Sequence, residues 1–236
     1  NDLAAWWEFE NIRRNEGVYC HVAGRGEPDP RYIYPGTILS PGVRLVFEEG
    51  SFIGPYETLE AHRKGLDSGA SGPAAGIRIR GNVHLGPGFR IGANSLIEGD
   101  VVTGTGGYIE DALVEGNALL GDHVRVRRGA FLRDRSVCGD GSRFECAADF
   151  SGVAGPSTTY MHPLQARIVT GRNCDLGAGC WVGTWRFDNE ASRFKVGDRL
   201  VKPKNAGLAN TVYFGDEVRS AVMVSFQPGT RVGADT

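Results

Sequence analysis

No run of about eighteen consecutive apolar residues occurs in the chain, which excludes a membrane-spanning helix. The apolar start, Ala4, Ala5, Trp6 and Trp7, is broken by Glu8, Glu10 and Arg13, so no signal peptide is visible and a cytoplasmic location is expected. An excess of positive charge is missing too. The 26 basic and 28 acidic residues leave a net charge of -2, so nucleic acid is not an expected partner. The cysteines are few and odd in number. Cys20, Cys138, Cys146, Cys174 and Cys180 show no C-x-x-C spacing, which favours buried reduced thiols over disulfides or a metal site.

What the chain does have is glycine, 35 of 236 residues, roughly twice the average usage. Spread as they are, these glycines imply many tight turns. With 41% hydrophobic residues, the chain can also bury a substantial core.

The turns and the core share a period of six. Stepping from Ile79 gives Leu85, Ile91 and Ile97; a second block gives Val114, Leu120, Val126, Leu132, Cys138, Phe144 and Phe150. A third gives Thr170, Leu176 and Val182, and a fourth Phe214, Ser220, Phe226 and Val232. Sixteen of these eighteen positions are apolar, where composition would give about seven, and nine of the residues that follow them are glycine, where about three are expected.

Six residues make one short strand and a turn, and three hexads close a triangular coil. Stacked coils bury a continuous column and confine unpaired strand edges to the two ends. The pattern therefore predicts an all-β fold, a parallel β-helix over 38–236 with a cap segment over 1–37, in which Trp6, Trp7 and Phe9 pack a short helix over the coil end. Breaks in register predict loops at about 57–76, 151–169 and 185–211. The step from Ile97 to Val114 is seventeen residues, one short of a full coil, and predicts a tightened turn near Gly104–Gly107.

Three stretches carry a family resemblance: AFLRDRSVCGD at 130–140, GRNCDLGAGCWVGTWRFDNE at 171–190 with FKVGDRLV at 194–201, and FGDEVRSAVMVSFQPGTRVG at 214–233. From Ala130 onward the chain resembles the C-terminal, acetyl-CoA-dependent acetyltransferase half of the bifunctional sugar-1-phosphate nucleotidylyltransferase/acetyltransferases that make UDP-N-acetylglucosamine, especially the archaeal type. The resemblance implies a left-handed β-helix, a homotrimer, and acetyl-CoA bound between neighbouring coils. It also implies a sugar phosphate as the second substrate. The family's nucleotidylyltransferase half has no counterpart in these 236 residues.

Acetyl transfer to an amine needs a base for the departing proton, donors for the developing oxyanion, and cations for an anionic acceptor. By resemblance His162, in TTYMHPLQ, is the catalytic base, a role for which a histidine's ordinary pKa is suited. Arg133 is expected to hold the sugar phosphate, and Lys195 to reach toward the site from its loop. The family's phosphate-binding lysine falls at Ser151, its tyrosine at Gln165, and its two sugar-binding asparagines at Asp175 and Thr184.

Arg167 and Arg172 are the candidates to replace the lost charge. Backbone donors near Ala178 and Gly179 are expected at the thioester carbonyl, with Arg219, Arg231 and Val222 at the coenzyme. No metal is expected, because His84, His123 and His162 lack the spacing of a β-helix zinc site. Two functions follow: an acyltransferase acting on an amino-sugar phosphate or, given the replaced residues, a non-catalytic trimerising or regulatory module.

Overall fold

The computed structural model describes residues 19–22, 33, 37–54, 76–146, 148–161, 166–183, 193–196, 198–201 and 210–236. Among these there is no helix, and so none long and apolar enough to cross a membrane. The expected N-terminal helix lies outside the described residues, as do residues 57–75 of the first expected loop. What is described is a parallel β-solenoid, consistent with the left-handed β-helix.

The hexad positions are the core. Fifteen of the eighteen are buried, and the other three, Ser220, Phe226 and Val232, are half-buried in the last coil. Even the polar members obey the rule that buried polar atoms find partners. The Thr170 hydroxyl accepts from Gly155 N at 3.2 Å and pairs with Tyr160 Oη at 2.8 Å. Around that bond Phe144, Phe150 and Tyr160 pack with ring centroids 4.8–5.1 Å apart.

Each coil contributes one short strand to each of three faces. The first face stacks Arg44–Phe47, Val83–Leu85, Val101–Thr103, Ala118–Leu120 and Ser136–Cys138, with Tyr19–Val22 paired in parallel at its N-terminal end. The second stacks Ile38–Leu39, Arg78–Ile79, Leu96–Ile97, Leu113–Val114 and Phe131–Leu132. The third is a separate eight-stranded sheet: Phe52–Ile53, Arg90–Ile91, Tyr108–Glu110, Arg125–Arg127, Arg143–Glu145, Thr159–Met161, Asp175–Leu176 and Arg219–Ser220. Because side chains alternate, each inward column is flanked by outward columns of in-register residues about 4.8 Å apart.

The seventeen-residue coil is shortened at a different corner from the one expected. Ile91 and Leu96 pair with Ile109 and Leu113, so the missing residue lies between Ile109 and Leu113, not at Gly104–Gly107. Asp111 turns this corner at φ 50°, its N–H donating to Ala93 O at 2.8 Å and its carbonyl accepting from Gly129 N at 2.6 Å.

The loop expected over 151–169 is also corrected, since most of it is coil. Asp149–Ala154 runs as one strand through the corner that the Asp134–Arg135 turn makes in the coil before, and Ala166–Thr170 pairs along it. This removes two residues from the corner and sets the offset between coils at sixteen: Phe144↔Tyr160 and Phe150↔Ala166. Gly152 makes the passage possible. Its φ is +132°, and a side chain there would drive its Cβ into the carbonyl of Ile168. A six-residue strand passing from one face to another therefore disguises a coil as an irregular segment. Within 185–211, Phe194–Val196 and Arg199–Val201 form an antiparallel hairpin.

Candidate functional site

The corner after the second face's core column brings three of the sequence's cationic and polar candidates into register. Leu132 pairs with Phe150 and Ser151 with Arg167, so Arg133, Ser151 and Arg167 occupy successive rungs of one outward column. Arg133 is the anchor. Its Nε and Nη2 donate to the two Asp149 carboxylate oxygens at 2.6 and 2.7 Å, and its guanidinium lies 4.5 Å from the centre of the Phe131 ring. Glu115 stands 3.7 Å from Nη1.

The hydrogen bond to Asp149 raises the Arg133 pKa above its ordinary value, so the group carries full charge in a fixed orientation. A phosphate at this corner meets an arginine already shared with a carboxylate. Arg167, exposed one rung beyond Ser151, is the cation here with no described carboxylate partner. Arg172 is elsewhere, at the corner between the first and third faces and 3.1 Å from Asp216.

The remaining candidates divide among other parts of the prism. Asp175 and Arg219 are direct register partners on the third face. Ala178, Gly179 and Val222 lie at the corner between the third and second faces, where Ala178 O accepts from Met223 N at 2.9 Å and Gly179 turns at φ +72°. Among the described residues the amides of Ala178 and Gly179 have no backbone acceptor, and beside them Val222 and Met223 are 64% and 75% exposed. Arg231, on the first face, lies 4.3 Å from the centre of the Tyr213 ring. His162, Gln165 and Thr184 lie outside the described residues. Lys195 is in the hairpin, opposite Leu200.

Two residues the sequence reading passed over complete the Arg133 corner. Asp149 and Glu115 were invisible because the carboxylates reach Arg133 from the coils on either side, sixteen and eighteen residues away. The signal that could have found them is the coil offset itself, once the shortened corner was located. Of the cysteines, Cys138, Cys174 and Cys180 are buried free thiols and Cys146 is half-buried. Burial pushes the thiols of Cys138 and Cys174 up from their ordinary value, which keeps them protonated and unreactive.

No family model matches the chain. Three archaeal relatives, each named "Bifunctional protein GlmU", do. That of Methanococcus maripaludis is 26% identical over 112 residues, covering 47% of this chain and 25% of the relative. That of Methanococcus aeolicus is 24% identical over 154 residues, covering 62% and 36%. That of Methanocaldococcus jannaschii is 25% identical over 111 residues, covering 47% and 25%. The chain thus spans between a quarter and about a third of the length of the curated relatives it matches. Together with a solenoid built from the predicted hexads, these matches fit the C-terminal acetyltransferase half of a GlmU-type protein.

Proposed function

We propose that the chain is an acyltransferase of nucleotide-sugar synthesis, transferring acetyl from acetyl-CoA to the amine of an amino-sugar phosphate. The carrying observation is the rung column Arg133–Ser151–Arg167. It supplies two guanidinium groups where a phosphate-bearing acceptor would sit, and Arg167 restores the positive charge absent at Ser151.

His162 is the proposed base. It is four residues before Ala166, whose Cα pairs with Phe150, so chain length alone keeps it within about 14 Å of that pairing. It would take the proton from the attacking nitrogen, while the Ala178 and Gly179 amides face the thioester oxygen. Gln165, Asp175, Thr184 and Lys195 would line the acceptor's sugar, and Arg219, Arg231 and Val222 the coenzyme.

The protein would act as a cytoplasmic homotrimer with coenzyme between subunits. Supporting this, the first face carries an outward column of Val102, Leu119, Val137, Val153 and Val169, with Val137 38% and Val153 42% exposed. The second face carries Leu96, Leu113 and Phe131. Two flat apolar faces on one prism suit closed cyclic assembly.

One observation favours the alternative, a non-catalytic module. The Arg133 guanidinium already has Asp149 in bidentate contact. Thermal unfolding with acetyl-CoA separates the two readings, because a ligand at a hundred times its dissociation constant adds about 2.7 kcal/mol of stability. The expected result is an upward midpoint shift with acetyl-CoA, together with acetyl transfer that His162→Ala abolishes while the shift remains. No shift at millimolar acetyl-CoA, or undiminished turnover by the variant, overturns the catalytic reading.

A further inference from the structure

The third face carries a column of outward residues whose last two rungs, Asp175 and Arg219, belong to the proposed acyltransferase site and whose earlier rungs are cationic and unused by it. Its outward positions before the core residue read Arg90, Tyr108, Arg125, Arg143, Thr159 along consecutive coils, each the register partner of the next. Like charges directly opposite in a sheet repel, yet Arg125 and Arg143 are direct partners and both are exposed.

The arginines nearest to this pair, Arg90, Arg127 and Arg128, each have a carboxylate partner. Arg90 is 3.3 Å from both carboxylate oxygens of Glu110. Arg127 donates to Glu145 Oε1 at 2.7 Å, and Arg128 stands 3.7 Å from Oε2. The one carboxylate on the same strand as Arg143 is thereby occupied on both oxygens. No described acidic side chain pairs with Arg125 or Arg143. Beside them the Nε of Arg127 is buried without an acceptor. Five guanidinium groups, of Arg90, Arg125, Arg127, Arg128 and Arg143, thus share two carboxylates, Glu110 and Glu145, in a protein whose net charge is -2.

We propose that Arg125 and Arg143 form a binding site for a diphosphate group, either free pyrophosphate or the diphosphate of a nucleotide. Guanidinium forks match phosphate oxygens in pairs, and adjacent rungs about 4.8 Å apart set one fork per phosphoryl group. The Tyr108 and Thr159 hydroxyls on the flanking rungs extend the row at either end. A single phosphate can engage one rung fully, whereas a diphosphate engages both, so the site discriminates by length. It lies on a different face from the Arg133 corner and two rungs from Asp175, and its test does not depend on the acyltransferase reading.

Calorimetric titration of the full chain at constant ionic strength tests this, with inorganic pyrophosphate, orthophosphate and ADP as probes. Saturable binding of pyrophosphate is expected, tighter than that of orthophosphate. Arg125→Gln and Arg143→Gln should each weaken it by about tenfold or more, the loss of one charge-assisted hydrogen bond or two. Arg135→Gln, at a corner of the prism away from this face and with an 88% exposed side chain, should leave it unchanged. Tighter binding of ADP than of pyrophosphate identifies a nucleotide as the source; equal or weaker binding identifies free pyrophosphate.

The apo midpoint should stay level or rise in the two variants, because a repulsive pair is removed, and this shows that they fold. Absence of saturable pyrophosphate binding at millimolar concentration overturns the proposal. So does equal affinity for orthophosphate, or binding that survives the double variant.

Discussion

The first and third faces of the prism have the same parallel in-register pairing and the same kind of inward column, yet opposite exteriors. On the first, Val102, Leu119, Val137, Val153 and Val169 stack as an aliphatic ladder; on the third, Tyr108, Arg125, Arg143 and Thr159 stack as a polar and cationic one. In a parallel in-register stack a side-chain choice is repeated at every rung, so small preferences add along the axis instead of cancelling. The aliphatic ladder gains by being covered, and the arginine ladder gains by meeting an anion. The inward residues make the solenoid, and the outward ones decide what each face does.

The largest effect should come from the inside of the third face. Phe144→Ala removes the ring that packs on both Phe150 and Tyr160 and should cost about 3–5 kcal/mol, read from denaturant unfolding. An Arg143→Ala change one residue away on the outside should stay within about 0.5 kcal/mol. A Phe144→Ala loss under about 1 kcal/mol would mean that inward and outward positions are not as distinct as the comparison requires.

The next contrast is between the two exteriors. The double change Val137→Asp, Val153→Asp places like charges on adjacent exposed rungs of the first face, and light scattering should show the proposed homotrimer falling to single chains. Arg125→Gln on the third face should leave the mass unaltered. An unchanged mass in the valine variant would assign the aliphatic ladder some partner other than a second copy.

The smallest effect concerns the second-face corner. Asp149→Asn keeps the shape but removes the charge facing Arg133. The Arg133 side chain is 46% exposed, so the stability cost should be about 1 kcal/mol or less. If Asp149 competes with a phosphate-bearing substrate, the same change should lower its KM. A raised KM would show instead that Asp149 positions Arg133 for the substrate.

Much of the fold was legible because inward positions repeat a local demand. Every sixth residue is apolar or a satisfied small polar residue wherever a strand faces the core, whatever its neighbours do, and of the hexad positions counted from Ile79 through Val182 only Thr170 is polar. The strand through Gly152 was not legible, since its pairing partners lie sixteen residues away and its composition reads as a loop. The candidate site was legible only in part. Arg133 and Ser151 could be singled out along the chain but not placed in one column, and nothing local distinguishes Arg167, one rung along that column, from Arg172, held by Asp216 at another corner.

The sequence by itself determined the period, the core residues and the parallel solenoid, because burial and glycine-bearing turns act within one hexad. Only the tertiary structure decided which outward residues share a column. A residue's neighbours across rungs depend on the coil offset, which is eighteen, seventeen or sixteen according to where a corner has lost a residue. One deletion between Ile109 and Leu113 shifts the register of every outward residue beyond it while leaving each inward residue inward. That is why the core could be read along the chain, and the arginine ladder only across it.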